Sequence, residues 1–544
     1  MKYILYMLVL WMAWLPLTAQ NYSQILGRPA DSAITISVLF DAPAEYYWEY
    51  GTNSGSYTHQ TNIQTVLDTL PVDYEITGLN PGMQYYYRLR YRNAGSLAGF
   101  GAAPEHYFRT QRAPGSTFSF AIEADPHLDS NTIPASLSLT FQNILDAQPD
   151  FMIDLGDNFL SEKYVLIPGN QQPIAGYQQI IRTRTMMYRP YYGAVAHSVP
   201  LYLVLGNHEG ELGWKLNGTD SSMPVVAAQN RKLYYPNPLP ERIYTGNDSA
   251  EAYVGLRENY YAWHWGDALF VVIDPYWYTR MSQRAGWGWT LGSRQFEWFK
   301  RTLKSSTAKY KFIFAHQLVG GNGNDARGGA EYADLFENGG RNADSSWGFE
   351  SNRYHWQEPL HAIMLEAGAS VYFHGHDHCY AAQQKDGLMY HEVPQPSARN
   401  INVFTGSGTG YGYTGGTLLP SRGYLLVTVS PDSAVVKYIK TYLPNEENVS
   451  RHNKDIAHSY SINPNPAGST AVYEFIGNGK WDNPANWNSN SIPPAVLPNG
   501  AEIIINPVEG GTCELNRVQV IKPGARVTVM PGKKFQVPGA FLQQ

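Results

Sequence analysis

Short runs of alternating apolar and polar residues fill the segment from residue 28 to residue 112. Regular turns rich in Gly, Asn, Pro and Ser separate these runs. A period of two places alternate side chains on opposite faces of a strand, and short strands at regular spacing are typical of a sandwich of antiparallel sheets. The pattern predicts an all-β sandwich over 28–112. Its strands include AITISVLF, YYWEYG, YEITGL, QYYYRLRYR and EHYFRT.

The pattern changes at about residue 117, where runs of four to six consecutive apolar residues alternate with helical stretches. Continuous apolar runs fit strands that are buried on both faces, and ligands gather where such strands end at their carboxyl side. The pattern predicts a central α/β domain over 117–445. Each apolar run ends in a carboxylate, an amide or an imidazole, as in FSFAIEADPH, FMIDLGDN, PLYLVLGNHE, ALFVVIDP, YKFIFAHQ and SVYFHGHDH.

The C-terminal part of the chain has a different character. Residues 446–470 are polar and rich in helix and strand breakers, which predicts a linker. Residues 471–544 contain short strands separated by Pro-Gly turns, and they resemble the start of a β-solenoid module of exported bacterial proteins. The pattern predicts a short β-rich module that is either a partial solenoid or a small sandwich. We expect this module to offer a contact to a surface or a glycan.

The first residues predict export of the chain. Lys2 precedes an apolar run from about Ile4 to Leu17, and Thr18-Ala19-Gln20 follows. This is the pattern of a signal peptide over 1–19 that is cleaved after Ala19, and the run is too short for a confident membrane span. We expect a periplasmic or extracellular protein with no transmembrane segment in the mature chain.

The charge balance adds a constraint on partners. The formal net charge is −6 and the isoelectric point is about 6.2, so the chain lacks the basic footprint of a nucleic-acid-binding protein. We therefore expect no nucleic-acid partner.

Polar residues at the strand ends form a candidate metal site. Carboxylate, amide and imidazole groups suit a hard or borderline divalent metal, and no thiolate competes at these strand ends, which favours Zn, Fe or Mn. The set is large enough for two ions, divalent or of mixed valence, and a carboxylate between two such ions can bridge them. The residues are Asp125, His127, Asp157, Asn207, His208, His316, His376 and His378.

The blocks DPH, GDN, GNHE, AHQ and GHDH resemble the five ordered blocks of the calcineurin-like metallophosphoesterase superfamily, over roughly residues 117–440. This resemblance implies two packed mixed sheets flanked by helices. The stretch ITGLNPGMQYYYRLRY resembles the end of a fibronectin type III domain, and the domain order is similar to that of purple acid phosphatases.

The family resemblance also implies roles for individual residues. His208 matches the histidine that contacts the phosphate and protonates the leaving oxygen, and Asp157 matches the bridging ligand. The implied ligands are Asp125, His127, Asp157 and His378 for one metal, and Asp157, Asn207, His316 and His376 for the other.

One position departs from the purple acid phosphatases. Their GDxxY block carries a tyrosine ligand three residues after the bridging aspartate, and this chain has Leu160 there. The chain supplies His127 instead, so its ligand set resembles the broader Asp-x-His class.

Candidates for substrate contacts lie next to the blocks and in the long segments between them. Asn158 either contacts phosphate or stabilises its turn. Arg184 and Arg327 are candidates for holding a phosphate, with a role as ordinary surface arginines as the alternative.

We therefore predict a secreted binuclear phosphatase that hydrolyses small-molecule phosphate monoesters with a metal-activated water. The alternatives are a phosphodiesterase with the same site, and an exported binding or adhesion protein whose site is catalytically silent.

Overall fold

The computed structural model describes residues 21–167, 172–280, 285–323, 325–406, 411–464, 471–488, 490 and 492–543. The predicted signal peptide lies outside the described residues. The chain forms a β-sandwich, a central α/β unit and a C-terminal β module. Among the described helices, none is long and apolar enough to cross a membrane.

The N-terminal unit consists of a three-stranded sheet and a six-stranded sheet. Alternation decides which side chains enter the core: in QYYYRLRYRN, Tyr85, Tyr87 and Leu89 are buried, and their neighbours along the strand are only partly buried. The strands are β1 (Tyr22–Gly27), β2 (Ala33–Phe40), β3 (Ala44–Gly51), β4 (His59–Gln60), β5 (Gln64–Val66), β6 (Val72–Thr77), β7 (Gln84–Asn93), β8 (Gly101–Ala102) and β9 (His106–Arg109).

The central unit contains two mixed sheets and the helices that cover them. Its strands are β10 (Phe118–Glu123), β11 (Phe151–Asp154), β12 (Leu201–Leu203), β13 (Thr245–Gly246), β14 (Ala250–Glu251), β15 (Gly255–Leu256), β16 (Tyr261–Trp265), β17 (Ala268–Val272), β18 (Tyr310–Phe314), β19 (Val371–His374), β20 (Tyr380–Lys385), β21 (Leu388–Glu392), β22 (Thr417–Leu419), β23 (Gly423–Val429), β24 (Ala434–Lys440) and β25 (Ile456–Ile462). Its helices are α1 (Pro134–Ala147), α2 (Ser161–Val165), α3 (Tyr177–Met187), α4 (Arg189–Ala196), α5 (Met223–Tyr234), α6 (Gly292–Ser305), α7 (Phe336–Gly339), α8 (Phe349–Asn352) and α9 (Leu360–Glu366).

The two sheets of the central unit pack face to face through a core of aromatic side chains. One sheet has the order β12-β11-β10-β23-β24-β25, and the other has the order β13-β16-β17-β18-β19-β21-β20-β22. Phe120 of the first sheet meets Phe270 of the second at 5.0 Å between ring centroids. Helices α1 and α4 cover the outer face of the first sheet, and α6 and α9 cover the second. The predicted arrangement of two packed mixed sheets flanked by helices is confirmed.

The C-terminal module winds into parallel coils. Its strands form three parallel sheets, β26-β29-β32, β27-β30-β33 and β28-β31-β34, so the chain returns to each sheet once per coil. This is the solenoid arrangement. The strands are β26 (Val472–Phe475), β27 (Gly479–Lys480), β28 (Val496–Leu497), β29 (Glu502–Ile505), β30 (Thr512–Glu514), β31 (Val518–Ile521), β32 (Arg526–Val529), β33 (Lys534–Gln536) and β34 (Ala540–Gln543).

The segment predicted as a linker contributes to the central sheet. Strand β25 lies within 446–470 and pairs antiparallel with β24. The central unit therefore extends to Ile462, beyond the predicted boundary at residue 445. The sequence pattern gave no sign of this strand because β25 is a mostly polar edge strand, IAHSYSI, with alternating exposed side chains.

Polar contacts join the three units. The buried guanidinium of Arg189, on α4, donates to Ser23 Oγ at 2.9 Å and to the Ser37 carbonyl at 2.9 Å in the sandwich. On the other side, Arg341 donates to the Val518 carbonyl of the C-terminal module at 2.8 Å. Lys522 of that module pairs with Glu358 and Glu366 of the central unit.

Candidate metal centre

The carboxyl ends of parallel strands from both sheets meet at one edge of the central unit. Strands β10, β11 and β12 are parallel in one sheet, and β17, β18 and β19 are parallel in the other. The loops that follow these strands carry the predicted site residues. They are Asp125 and His127 after β10, Asp157 after β11, Asn207 and His208 after β12, His316 after β18, and His376 and His378 after β19.

The histidine and carboxylate ligands predicted from the sequence fall into two groups of three. Within each group, the potential ligand atoms all lie within 4.8 Å of one another. Asp157 Oδ2 lies 3.4 Å from His127 Nε2 and 3.2 Å from His316 Nε2, so one oxygen faces both groups. Asp125 Oδ1 lies 3.6 Å from His127 Nε2. The groups are Asp125, His127 and His378, and Asp157, His316 and His376.

Several potential metal-ligand atoms in this site lack a hydrogen-bond partner, which shows whether the residues fit metal ions. Four candidate ligand atoms are buried and have no hydrogen-bond partner among the described residues. Buried polar atoms without a partner are costly, and a metal ion is a partner that carboxylate, amide and imidazole donors all accept. The residues therefore fit metal ions. The atoms are Asp125 Oδ1, His127 Nε2, Asn207 Oδ1 and His316 Nε2.

Backbone carbonyls select the ligating nitrogen of two histidines. His316 Nδ1 donates to the Leu155 carbonyl at 2.9 Å, and His376 Nε2 donates to the Asp325 carbonyl at 2.9 Å. A carbonyl only accepts hydrogen bonds, so that nitrogen stays protonated and the other nitrogen is the one that can bind a metal. The site is thus oriented by groups outside the ligand set.

The electrostatics of the site favour bound cations. Burial lowers the pKa of both His127 and His316, but Asp125 and Asp157 outweigh it and raise these values to about 9 and about 10. At neutral pH without metal, protons on the two imidazoles therefore balance the buried carboxylates. Metal binding displaces these protons, so metal affinity falls as the pH falls.

The backbone of the site is unusual. Five of the seven candidate metal ligands have positive φ angles, between 35° and 82°. This left-handed region is unfavourable for residues with a Cβ atom. The backbone there turns sharply, which directs several side chains from short loops to one point. The five are Asp125 (59°), His127 (35°), Asp157 (61°), His376 (82°) and His378 (56°).

Glu209 holds one of these loops, a role that the sequence did not reveal. Its buried carboxylate accepts hydrogen bonds from the backbone N–H groups of Asp157 at 3.0 Å and Asn158 at 2.6 Å, and also from Phe159 and Gly206. Glu209 thereby links the loop after β11 to the loop after β12. The signal in the sequence was the glutamate that ends GNHE.

His208 is placed to act as an acid. Its Nδ1 donates to Glu162 Oε2 at 2.6 Å, and its Nε2 lies 4.0 Å from Asp157 Oδ2. Burial lowers the pKa of His208, but Asp157 and Glu162 together raise it above the ordinary value. The imidazole therefore keeps its proton near neutral pH and points Nε2 at the metal positions. The sequence analysis did not identify Glu162.

Two of the residues predicted to bind substrate have internal partners. The Asn158 side chain is buried and donates to Asp154 Oδ1 at 3.0 Å, as expected of an amide that stabilises its turn. Arg184 donates to the Phe159 carbonyl at 2.8 Å and to the Leu128 carbonyl at 3.3 Å. Arg184 therefore connects two loops of the site, and its Nε and Nη1 groups already donate hydrogen bonds within the protein.

Arg327 also supports the metal loops. It donates to the His376 carbonyl at 3.1 Å and to Asp377 Oδ1 at 2.8 Å, and its guanidinium lies over the Tyr411 ring at 4.6 Å. These contacts fix the loop after β19 rather than leave the guanidinium open to a ligand.

A cleft of about 450 Å³ opens beside the metal positions, within the usual size range of small-molecule sites. His127, His208 and His378 line this cleft. Its remaining lining includes residues from the loop after β10, from α2 and from the segment after β21, among them Asn131, Lys163, Arg399 and Tyr411.

Comparison with known proteins identifies the domain. A family model described as calcineurin-like phosphoesterase matches residues 118–380, a span that contains every candidate ligand. This region is a metallophosphoesterase domain, the domain of a phosphoric ester hydrolase, so the predicted resemblance is confirmed. No curated protein was found to match the chain.

Two solved structures share the fold over most of the chain. The structure of PhoD is 15% identical and aligns with 82% of this chain and 90% of its own, with a TM-score of 0.57. The purple acid phosphatase PPD1 from yellow lupin (Lupinus luteus) seeds is 16% identical and aligns with 82% of this chain and 74% of its own, with a TM-score of 0.52. At such low identity, these likenesses show the fold alone.

Proposed function

We propose that the protein is an exported binuclear metallophosphatase that hydrolyses phosphate monoesters of small molecules. One observation carries this proposal: Asp157 Oδ2 lies between histidines of two ligand groups, and the protonatable Nε2 of His208 is 4.0 Å from the same oxygen. Two divalent ions in these groups would activate a water as the nucleophile and neutralise charge on the transferring phosphate.

The side chains supply the remaining parts of the reaction. His208 donates its Nε2 proton to the departing alcohol oxygen, because Glu162 holds Nδ1 and leaves Nε2 facing the cleft. After the proton leaves, solvent restores it through the open cleft. A protonated imidazole also adds positive charge, which favours a dianionic monoester over a monoanionic diester.

Two variants test the metal centre and the acid separately. Asp157→Ala should abolish hydrolysis and release metal, because both groups lose their shared carboxylate. His208→Ala should keep the metal content and lower turnover by about 10²- to 10⁴-fold. His452→Ala, an exposed histidine outside the cleft, is the control. Two bound metals and near-normal turnover in Asp157→Ala would contradict the assignment.

Rates with different phosphate esters distinguish the possible roles of His208 and the possible substrate classes. If His208 is the acid, the loss in His208→Ala shrinks for esters with acidic leaving groups such as 4-nitrophenol. A uniform loss would favour phosphate positioning. Faster hydrolysis of bis(4-nitrophenyl) phosphate than of 4-nitrophenyl phosphate would favour the phosphodiesterase alternative, and hydrolysis of neither by metal-loaded protein would favour the silent binding protein.

Export is a separate part of the proposal, supported by the apolar N-terminal segment. Protein recovered outside the cytoplasm should begin at Gln20. An intact Met1 on the mature protein, found by N-terminal mass spectrometry, would contradict cleavage after Ala19. A glycan contact through the C-terminal module stays a prediction.

A further inference from the structure

The cleft beside the metal positions carries a charge that its own residues do not balance. Lys163 Nζ donates to Asp129 Oδ2 at 2.5 Å, so these two charges cancel. Asp377, also on the cleft wall, is paired with Arg327. Arg399 lines the same cleft, is exposed, and has no carboxylate within 4.0 Å among the described residues.

Arg399 is held at a fixed place relative to the metal ligands. The segment from Gln395 to Arg399 lies against the loop after β10. Gln395 Nε2 donates to the carbonyl of Asp125 at 2.9 Å, and Ser397 Oγ donates to the Pro126 carbonyl. The N–H of Ile133 donates to the Ser397 carbonyl at 2.8 Å. The backbone that carries Arg399 is therefore tied directly to the backbone of the metal ligand Asp125.

The guanidinium itself is only partly engaged. Its Nη2 donates to the Ser130 carbonyl at 3.1 Å, and this is the hydrogen bond that the structure gives it. A guanidinium has five N–H donors, which leaves most of them for a ligand in the cleft. Such a planar donor fork matches the geometry of a carboxylate or a phosphate. The neighbouring Asn131, Asn400 and Thr405 are neutral, so they add hydrogen-bonding groups without competing charge.

We propose that Arg399 binds a second oxyanion on the alcohol part of the substrate, so that the preferred substrates are phosphate esters that also carry a carboxylate or another phosphate. This inference rests on the proposed function, because the metal centre must hold the reacting phosphate while Arg399 holds the distal group. Arg399 is then a specificity-determining residue on the wall of the cleft.

Binding of phosphonates tests this inference without turnover. The metal-loaded full chain is titrated by calorimetry with propylphosphonate, 3-phosphonopropionate and propane-1,3-diphosphonate. The first ligand has a single anionic group, and the other two add a carboxylate or a phosphonate at the far end. The variants are Arg399→Ala and the control Arg301→Ala, which removes an exposed arginine of α6 that does not line the cleft. Metal content is measured for each.

The expected result is a change in selectivity. The wild type should bind at least one of the two ligands that carry a second anionic group more tightly than propylphosphonate, and the ligand that it prefers identifies the distal group. In Arg399→Ala, affinity for that ligand should fall about ten- to a hundredfold, with a much smaller loss for propylphosphonate. Arg301→Ala should match the wild type for every ligand.

Two results would overturn the inference: equal wild-type affinities for the three ligands, or an equal loss for all three in Arg399→Ala. Both leave the metal centre untouched. A different result separates the two proposals. If Arg399→Ala loses the preference for the ligand with a second anionic group, but the metal-loaded protein hydrolyses no phosphate ester, the proposed function is wrong and the oxyanion site is supported.

Discussion

At the scale of single residues, the pair formed by Glu162 and His208 connects a short helix to the chemistry. Glu162 lies on α2 and holds the imidazole by a hydrogen bond of 2.6 Å. The family blocks do not contain Glu162, so its role follows from the fold rather than from a motif. Its carboxylate orients Nδ1 and stabilises the protonated imidazole.

Replacing Glu162 with Gln should keep the shape of this contact and remove its charge. We expect turnover to fall about tenfold, less than the 10²- to 10⁴-fold loss expected when the acid itself is removed, while the metal content is retained. Because Glu162 raises the pKa of His208 and the protonated form is the acid, the alkaline limb of the rate profile should move to lower pH. The profile of kcat/KM against pH measures this, with Glu297→Gln on the surface of α6 as the control. An unshifted limb would contradict the pairing.

Leu160 predicts a colourless protein, or one that is faintly yellow. The colour of purple acid phosphatases comes from a tyrosine ligand to iron, and the leucine at this place has no donor atom. Leu160 is buried, and the nearby Tyr164 lies under the Arg184 guanidinium at 4.4 Å. Iron-loaded protein should therefore lack a strong visible band. A band that disappears in Tyr164→Phe would show that a tyrosine ligates the iron.

The sequence predicted much of the site because its residues follow recognisable strands. Asp125, Asp157 and His316 each come after a buried apolar run, and parallel strands bring such positions to one edge. Arg399 could not be predicted in the same way, because its segment reaches Asp125 only through contacts between residues about 270 positions apart. Long-range pairing of this kind leaves no local pattern in the chain.

At the scale of elements, β25 shows what a polar edge strand contributes. His458 accepts a hydrogen bond from Tyr380 at 2.7 Å, and Tyr460 bonds to His391 at 2.7 Å, so β25 connects the first sheet to the second. Its removal would expose the edge of β24 and leave these buried partners without hydrogen bonds.

Two truncated chains test this contribution. A chain ending at residue 445 lacks β25, and a chain ending at residue 464 keeps it, while both lack the C-terminal module. We expect the shorter chain to melt several degrees below the longer one and to aggregate, because two buried hydrogen bonds are lost. Differential scanning calorimetry measures the difference. Equal melting temperatures would show that β25 is dispensable.

At the scale of the whole molecule, two stacked imidazoles lie where the sandwich meets the central unit. His106 begins β9 in the sandwich and His197 caps the C-terminus of α4, with ring centroids 3.9 Å apart. Tyr87 donates to the carbonyl of His197 at 2.6 Å beside them. Burial, followed by the neighbouring His197, lowers the pKa of His106 to about 3, and burial also lowers that of His197.

This junction should weaken in acid. The unfolded chain binds protons on His106 from about pH 6.5 downward, whereas the folded chain resists until about pH 3, so stability falls as the pH falls between these values. At pH 5 the cost for His106 is about 2 kcal/mol. His106→Phe keeps a stacked ring and cannot titrate, so urea unfolding should show a smaller loss between pH 7.5 and pH 5 in this variant. An identical loss would exclude His106 as the cause.

The left-handed backbone at the metal centre sets stability against function in this chain. Each of the five non-glycine residues with positive φ costs about 1–2 kcal/mol relative to a relaxed conformation, and glycine would remove most of that cost. A chain chosen for stability alone would therefore favour glycine at these five positions. The side chains that stand there instead are a cost in stability that the scaffold bears for the sake of its ligand atoms, as expected at a functional site.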